Sequence, residues 1–215
     1  MKILAVLLSL SLLASCGGGG GGGGGSAAGD SASVGDSTAG VEDPNTSSPP
    51  SQSAPTPVEQ VTTDLNGLSM DDFFEGASRA LLRRSPETVV ADGLVDYIGM
   101  QSVQLDDISD AYTSETYSIM EAVLLLLQQY DRSQLSKAQQ LSYDIYEWHL
   151  QDQVNLGGYL EFSYPANPSL TGIVRQTELF FSDLHPFATE QDARDYLLRL
   201  GQIDTRITQL LRNLR

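Results

Sequence analysis

Ser136-Lys137-Ala138-Gln139-Gln140-Leu141-Ser142-Tyr143-Asp144-Ile145-Tyr146-Glu147-Trp148-His149-Leu150-Gln151-Asp152-Gln153-Val154-Asn155-Leu156-Gly157-Gly158-Tyr159 is the stretch on which the fold turns. Ser136 followed three residues later by Gln139 has the form of a capping box, in which the serine side chain and the glutamine side chain satisfy each other's free backbone donors. From there the apolar residues recur with helical, not alternating, spacing. At 100° per residue Leu141, Ile145, Trp148, Leu156 and Tyr159 share one side, and Tyr143, Tyr146, Leu150 and Val154 share the other. A long helix that is apolar on two sides predicts a helix sandwiched between neighbours. Gly157-Gly158 reads either as a close helix contact or as a fraying end.

Working towards the N-terminus, Ser114-Glu115 reads as the start of a helix that turns Tyr117, Met120, Val123, Leu124, Leu127 and Tyr130 inward. The run Val123 to Leu127 is apolar all round but only five residues long, which suits a buried helix and not a membrane span. A polar loop, roughly Met100 to Thr113, precedes it. Pro86 fits the first turn of a short helix to about Asp92, ended by Gly93. Ser69 with Asp72 predicts a helix start, followed at helical spacing by Phe73, Phe74, Ala77, Ala80 and Leu81 until Ser85-Pro86 interrupts.

Towards the C-terminus, Tyr164 to Gly172 is a turn-rich break, Ile173 to Phe181 suits a short helix, and His185-Pro186-Phe187 is a second break. Thr189 with Asp192 then predicts an N-cap. Ala193, Tyr196, Leu197, Leu200, Ile203, Ile207, Leu210, Leu211 and Leu214 keep one apolar face beyond it, with Gly201 a point where the helix can split. Sustained strand alternation is found nowhere. The expectation is an all-α fold: a single irregular domain of five to seven helices spanning 67–215.

The N-terminal third has a different character. Met1 to Ser15 carries one lysine, a short apolar run and small residues before Cys16. The apolar run is well short of the ~20 residues a spanning helix needs, so 1–15 reads as a cleavable signal peptide. Leu13-Ala14-Ser15-Cys16 resembles a lipobox, the motif that marks a bacterial lipoprotein, with Cys16 as the acylated residue. The alternative is an ordinary secretory signal, which leaves a free thiol in an oxidising compartment. Residues 16–66 read as a disordered tether: nine of the 20 glycines lie in Gly17–Gly25, and Ser, Ala, Thr and Pro follow with acids but no Lys or Arg. Such a composition cannot bury enough apolar surface to order itself. Some fifty flexible residues reach roughly 40 Å, enough to hold a domain clear of a lipid surface. Gly17 in place of an Asp after Cys16 favours the outer membrane, with the domain in or facing the periplasm of the cell envelope.

Charge and composition exclude several classes. The chain of 215 residues has 12 Lys+Arg, 28 Asp+Glu and a formal net charge of −16, so nucleic acid is not an expected partner, and the expected membrane contact is through the lipid anchor. From Asp64 to Arg215 there are 23 acids against 11 bases. One cysteine rules out an internal disulfide and a thiolate zinc cluster. Neither histidine begins an HExxH motif, since His149 precedes Leu150-Gln151-Asp152 and His185 precedes Pro186-Phe187. No GxSxG nucleophile elbow is present. His149 and Asp152, three apart on one helix, read as a polar pair in which a carboxylate holds an imidazole; a ligand or general base is the other reading. Asp106, Asp107 and Asp110 are spaced loosely like calcium ligands but lack the glycine and final glutamate of an EF-hand loop, and a solvated acidic loop is the simpler reading. Tyr143, Tyr146, Trp148 and Tyr159 are core residues or the lining of a peptide or carbohydrate groove. These residues assign no catalytic, cofactor-binding or metal role.

The order of several segments nonetheless carries a likeness. Leu141 to Leu150, Asn167-Pro168-Ser169-Leu170-Thr171-Gly172, His185-Pro186-Phe187 and Gln191 to Leu200, together with Phe74-Glu75 and Ser85-Pro86-Glu87, resemble the N-terminal region of the bacterial "domain of unknown function 885" family over roughly Asp71 to Arg215. The resemblance implies a largely helical protein related to lipoproteins considerably longer than this chain and read as zinc metallopeptidases, with peptides as substrates. Their HExxH helix lies in the C-terminal part, so zinc is expected only in those full-length relatives and no metal or catalytic residue carries over. The apolar stripe still runs at Leu210, Leu211 and Leu214, which reads either as an incomplete product or as a helix that simply ends, with Arg212 and Arg215 suiting a helix C-terminus. Two functions follow: the lipid-anchored N-terminal helical portion of a metallopeptidase-like lipoprotein, or a stand-alone envelope lipoprotein that binds peptides or a partner protein without catalysis. The first predicts an apolar face left exposed on the last helix.

Overall fold

The computed structural model describes residues 54–100, 103–159, 166 and 172–214. Leu13, Ala14, Ser15 and Cys16, the signal peptide and most of the tether lie outside the described residues, as does most of the turn-rich break before Gly172. Among the described residues there is no strand, as the periodicity predicts, and no helix is long and apolar enough to cross a membrane.

The helical part starts earlier than composition suggests. Helix α1 (Pro57–Leu65) lies inside the stretch read as tether. Thr56 caps it, with Glu59 returning the bond in a full capping box, and Pro57 takes the first position, where no N–H is needed. Val58, Val61 and Leu65 then form an i, i+3, i+7 apolar line against the core. Gly67, at φ +73°, turns the chain into α2 (Met70–Leu82), capped by Ser69 as predicted.

Two further helices complete the main core. Helix α3 (Pro86–Ala91) and the one-turn α4 (Val95–Ile98) lead into α5 (Asp110–Leu127), which pairs with α6 (Lys137–Gly157) through a short 3₁₀ turn at Arg132–Gln134. Helix α5 begins four residues before the predicted Ser114, because Ser109 accepts the Tyr112 N–H and caps it. Phe73, Phe74, Val123, Leu127, Tyr146 and Leu150 are the centre of the core built by α1, α2, α5 and α6. Tyr130 closes it, its ring 5.2 Å from Phe73 and its hydroxyl donating to the Leu68 carbonyl at 2.8 Å. Arg84 ties the end of α2 to α5: it lies 3.5 Å over the Tyr112 ring, pairs with Glu115 at 2.8 Å and donates to the Tyr112 carbonyl. Gly157 marks a close helix contact, since a Cβ there would meet the Tyr117 ring at 3.0 Å, while Gly158 is the open end.

Helix α6 is not sandwiched. Tyr143, Tyr146 and Leu150 are buried against α5, but Leu141, Trp148 and Tyr159 on the opposite side are 61%, 70% and 63% exposed. Two of the four aromatics offered as a groove are therefore core, and two are surface.

Helix α7 (Ile173–Leu179) continues into a π-helical turn, Phe180–Leu184, closed by the His185 N–H on the Phe180 carbonyl. Helix α8 (Glu190–Leu200) has the predicted Thr189–Asp192 capping box, and the chain breaks at Gly201-Gln202 before α9 (Ile203–Asn213). These two helices turn an unexpected face inward. Arg199 and Arg206 are 2% and 3% exposed, whereas Leu197, Leu200, Ile207, Leu211 and Leu214 stand in solvent. Of the predicted apolar face only Leu210 is fully buried.

Candidate functional site

The polar face of α9, with Gln202 before it, packs on a stretch of backbone that has no secondary structure of its own. Residues 103–108 form no ladder, so their N–H and C=O groups need partners from elsewhere. Gln202 accepts the Leu105 N–H at 3.1 Å and donates to the Val103 carbonyl at 2.8 Å. Gln209 accepts the Ile108 N–H, and Asn213 donates to the Ile108 carbonyl at 2.6 Å. Arg206 donates to the Asp106 carbonyl at 3.4 Å. A helix face rich in Arg, Gln and Asn is thus the complement of bare main chain.

Charge is concentrated at the middle of this seam. Pro86 starts α3, and Ser85 before it makes no side-chain cap. The free N–H of Glu87 is instead taken by Asp106, whose carboxylate accepts it at 2.9 Å, while Glu87 accepts the Asp106 N–H at 3.1 Å. A residue nineteen positions away therefore caps the helix reciprocally. Arg206 pairs with the Glu87 carboxylate at 2.6 Å and donates to the Thr177 hydroxyl at 3.0 Å, so α3, α7, α9 and the 103–108 segment meet on one guanidinium. Loss of water around Asp106 pushes its carboxyl up to about 7; the Glu87 charge adds to the rise, and the Glu87 N–H and Arg206 oppose it. Neither reading of the Asp106-Asp107-Asp110 loop holds in full. Asp106 is a partly buried cap, Asp107 accepts from Ser109 and Gln209 at 2.8 Å each, and Asp110 is the first residue of α5.

Beside this lies a second buried pair. Arg199 Nη1 and His185 Nε2 are 2.5 Å apart, and His185 Nδ1 is 2.7 Å from the Pro186 carbonyl. A guanidinium donates only and a carbonyl accepts only, so the ring carries its proton on Nδ1 and accepts at Nε2 as neutral imidazole. Burial pushes the Arg199 guanidinium down from its ordinary value, and the charges of Asp195 and Glu87 pull it back. Phe180 and Tyr196 meet the imidazole edge-on at 5.5 and 5.3 Å.

His149 and Asp152, read as a polar pair, interact through charge. His149 is buried with Nε2 lacking a hydrogen-bond partner, and Asp152 is at the surface. Burial lowers the imidazole's proton affinity, and the Asp152 charge partly restores it. Zinc, which the resemblance implies for longer relatives, finds no ligand set among the described residues. No three His, Cys, Asp or Glu side chains converge among the described residues, and the only nitrogen His185 could offer faces an arginine. The site as built is a buried electrostatic seam between elements.

Sequence reasoning quoted His185, Glu87 and Arg199 in motifs and Asp106 in an acidic loop without giving any of them this role, and it missed Gln202 and Arg206. Arg199, Gln202 and Arg206 are spaced i, i+3, i+7, and that regular polar line was the available signal.

Fold and site together define an all-α domain held by a buried charged seam, with no nucleophile or metal centre assembled among the described residues. The family model for "Bacterial protein of unknown function (DUF885)" matches residues 86–215, and the chain belongs to this family. No curated protein and no solved structure matches the chain.

Proposed function

We propose that this chain is the helical, non-catalytic portion of a metallopeptidase-like lipoprotein, anchored through Cys16 at the outer membrane and held off it by the Gly/Ser/Pro-rich segment. The observation that carries the reading is the apolar stripe of α8 and α9, Leu197, Leu200, Ile207, Leu211 and Leu214, exposed while the same helices bury two arginines. A regular stripe of this kind is a docking face. The HExxH-bearing part of longer family members is the cover that the family reading supplies, and zinc and the general base would come with it. In this role the domain shapes the approach of a peptide substrate.

The test is a mixing experiment with the separately produced C-terminal part of a longer family member, followed by calorimetry. A complex that Leu211→Lys weakens at least tenfold supports the reading. Absence of a complex between two folded partners removes it. The runner-up, a stand-alone envelope lipoprotein that binds a partner, draws on a different observation, the exposed Trp148 side of α6.

A further inference from the structure

Helix α6 presents an uncovered face remote in sequence from the α8–α9 stripe. Leu141, Ile145 and Trp148 fall on one side of it at i, i+4, i+7, with Leu141 and Trp148 more than half exposed. The hydrogen bond from Gln128 to Glu147, 3.2 Å, marks where α5 and α6 meet, and Leu125, one turn before Gln128, adds another exposed apolar residue on that side of α5. The tryptophan is the only one in the chain.

The charge around this face is mostly negative. Between Asp110 and Gly157 seven carboxylates stand against two bases, Arg132 and Lys137, and no Lys or Arg occurs from 138 to 174. Arg132 is already committed to Asp144 through two 2.6 Å bonds. Asp152, one turn beyond Trp148, is exposed and on the same stripe. An indole face attracts cations and contributes most when an aliphatic stem also packs on it. Carboxylates one turn away reinforce that preference and repel an acidic partner or an anionic lipid headgroup.

We infer that the Leu141–Ile145–Trp148 face of α6 is a docking surface for a cationic amphipathic helix: a peptide segment whose apolar side covers Trp148 and whose Lys or Arg side chains meet Asp152 and Glu147. A second copy of this chain is the wrong occupant, because it would bring the same carboxylates to the seam. Helix-in-groove docking needs apolar anchors at helical spacing, and Leu141, Ile145 and Trp148 supply them.

The single tryptophan reports the binding directly. The full chain is titrated with a Lys/Leu amphipathic helical peptide and with its Glu/Leu counterpart, following Trp148 emission. The inference expects a saturable blue shift with the Lys/Leu peptide alone, weakened at least tenfold by Leu141→Lys and severalfold by Asp152→Asn or by high salt. Circular dichroism confirms that each variant is folded, as both positions are exposed. Equal response to the Glu/Leu peptide, no response to either, or a shift produced by raising the protein concentration alone would each overturn it.

Discussion

Asp106→Asn isolates the electrostatics of the buried seam. In the native fold the Asp106 carboxyl is raised to about 7 from an ordinary 3.8, first by burial and then by Glu87. Arg206 does not neutralise it directly, because that guanidinium pairs with the Glu87 carboxylate and reaches Asp106 only at its main-chain carbonyl. A raised native value means that the folded state holds its proton where the unfolded state has lost it. The associated stability is complete below about pH 4 and declines as pH rises towards 7. At about 1.4 kcal/mol per unit, a shift of this size corresponds to at most ~4 kcal/mol, shared with Glu87 because the two carboxylates titrate together. Asparagine keeps an oxygen for the Glu87 N–H but has no charge to desolvate. Urea denaturation followed by circular dichroism at several pH values is the assay. The variant is expected to gain on the wild type as pH rises, with the largest margin above about pH 7. His149 contributes oppositely: its lowered proton affinity makes both proteins less stable as pH falls below its ordinary ~6.5, and that term cancels in the comparison. A variant less stable than wild type above about pH 7 would refute the desolvation argument and make the Asp106 charge a net stabiliser.

Removing the cation from the same seam should have the opposite effect. Arg206→Met strands the Glu87 carboxylate and is expected to cost about 3–5 kcal/mol in the same denaturation assay, with the unfolding midpoint as readout. Leu127→Ala, at a fully buried position between α5 and its neighbours, should cost about 2–5 kcal/mol. Thr56→Ala removes the cap of α1 and should cost about 1 kcal/mol, with hydrogen exchange rising first at Val58 to Leu65; unchanged exchange there would contradict the assignment of α1 to the domain. Leu211→Gln, by contrast, should leave the unfolding midpoint nearly unchanged, because its side chain is already in solvent.

What could be read from the sequence divides along physical lines. Caps are local, so Ser69, Ser136 and Thr189 were all legible from a residue and its partner three positions on. Thr56-Pro57-Val58-Glu59 carries the same signature and was overlooked because the composition around it is that of a tether. The early start of α5 fell inside a stretch read as polar loop, and the one-turn α4 lies between that loop and Gly93, where no element was read. Asp106 was illegible as a cap, since its partner lies nineteen residues away and only tertiary contact joins them. Periodicity gave the angular position of each apolar stripe but not the direction in which the chain would turn it. Helix α6 has two such stripes and buries one; α8 and α9 have one and leave most of it outside.

That inversion follows from what the helices pack against. A helix laid on a sheet or another helix meets a surface whose backbone groups are already paired, and an apolar face is then the best complement. Here the surface is residues 103–108, whose main-chain donors and acceptors are free to bond side chains. Leaving them unpaired in the interior would cost about 1–3 kcal/mol each. Gln202, Arg206, Gln209 and Asn213 satisfy five of these groups. Once those residues are committed to the inside, helical geometry forces Ile207, Leu211 and Leu214 of α9 away from it. The exposed stripe on α9 is therefore fixed by the seam. A variant that weakens the seam, such as Arg206→Met, should also disturb the docking of whatever covers the stripe, which couples the electrostatics of the interior to the proposed function of the surface.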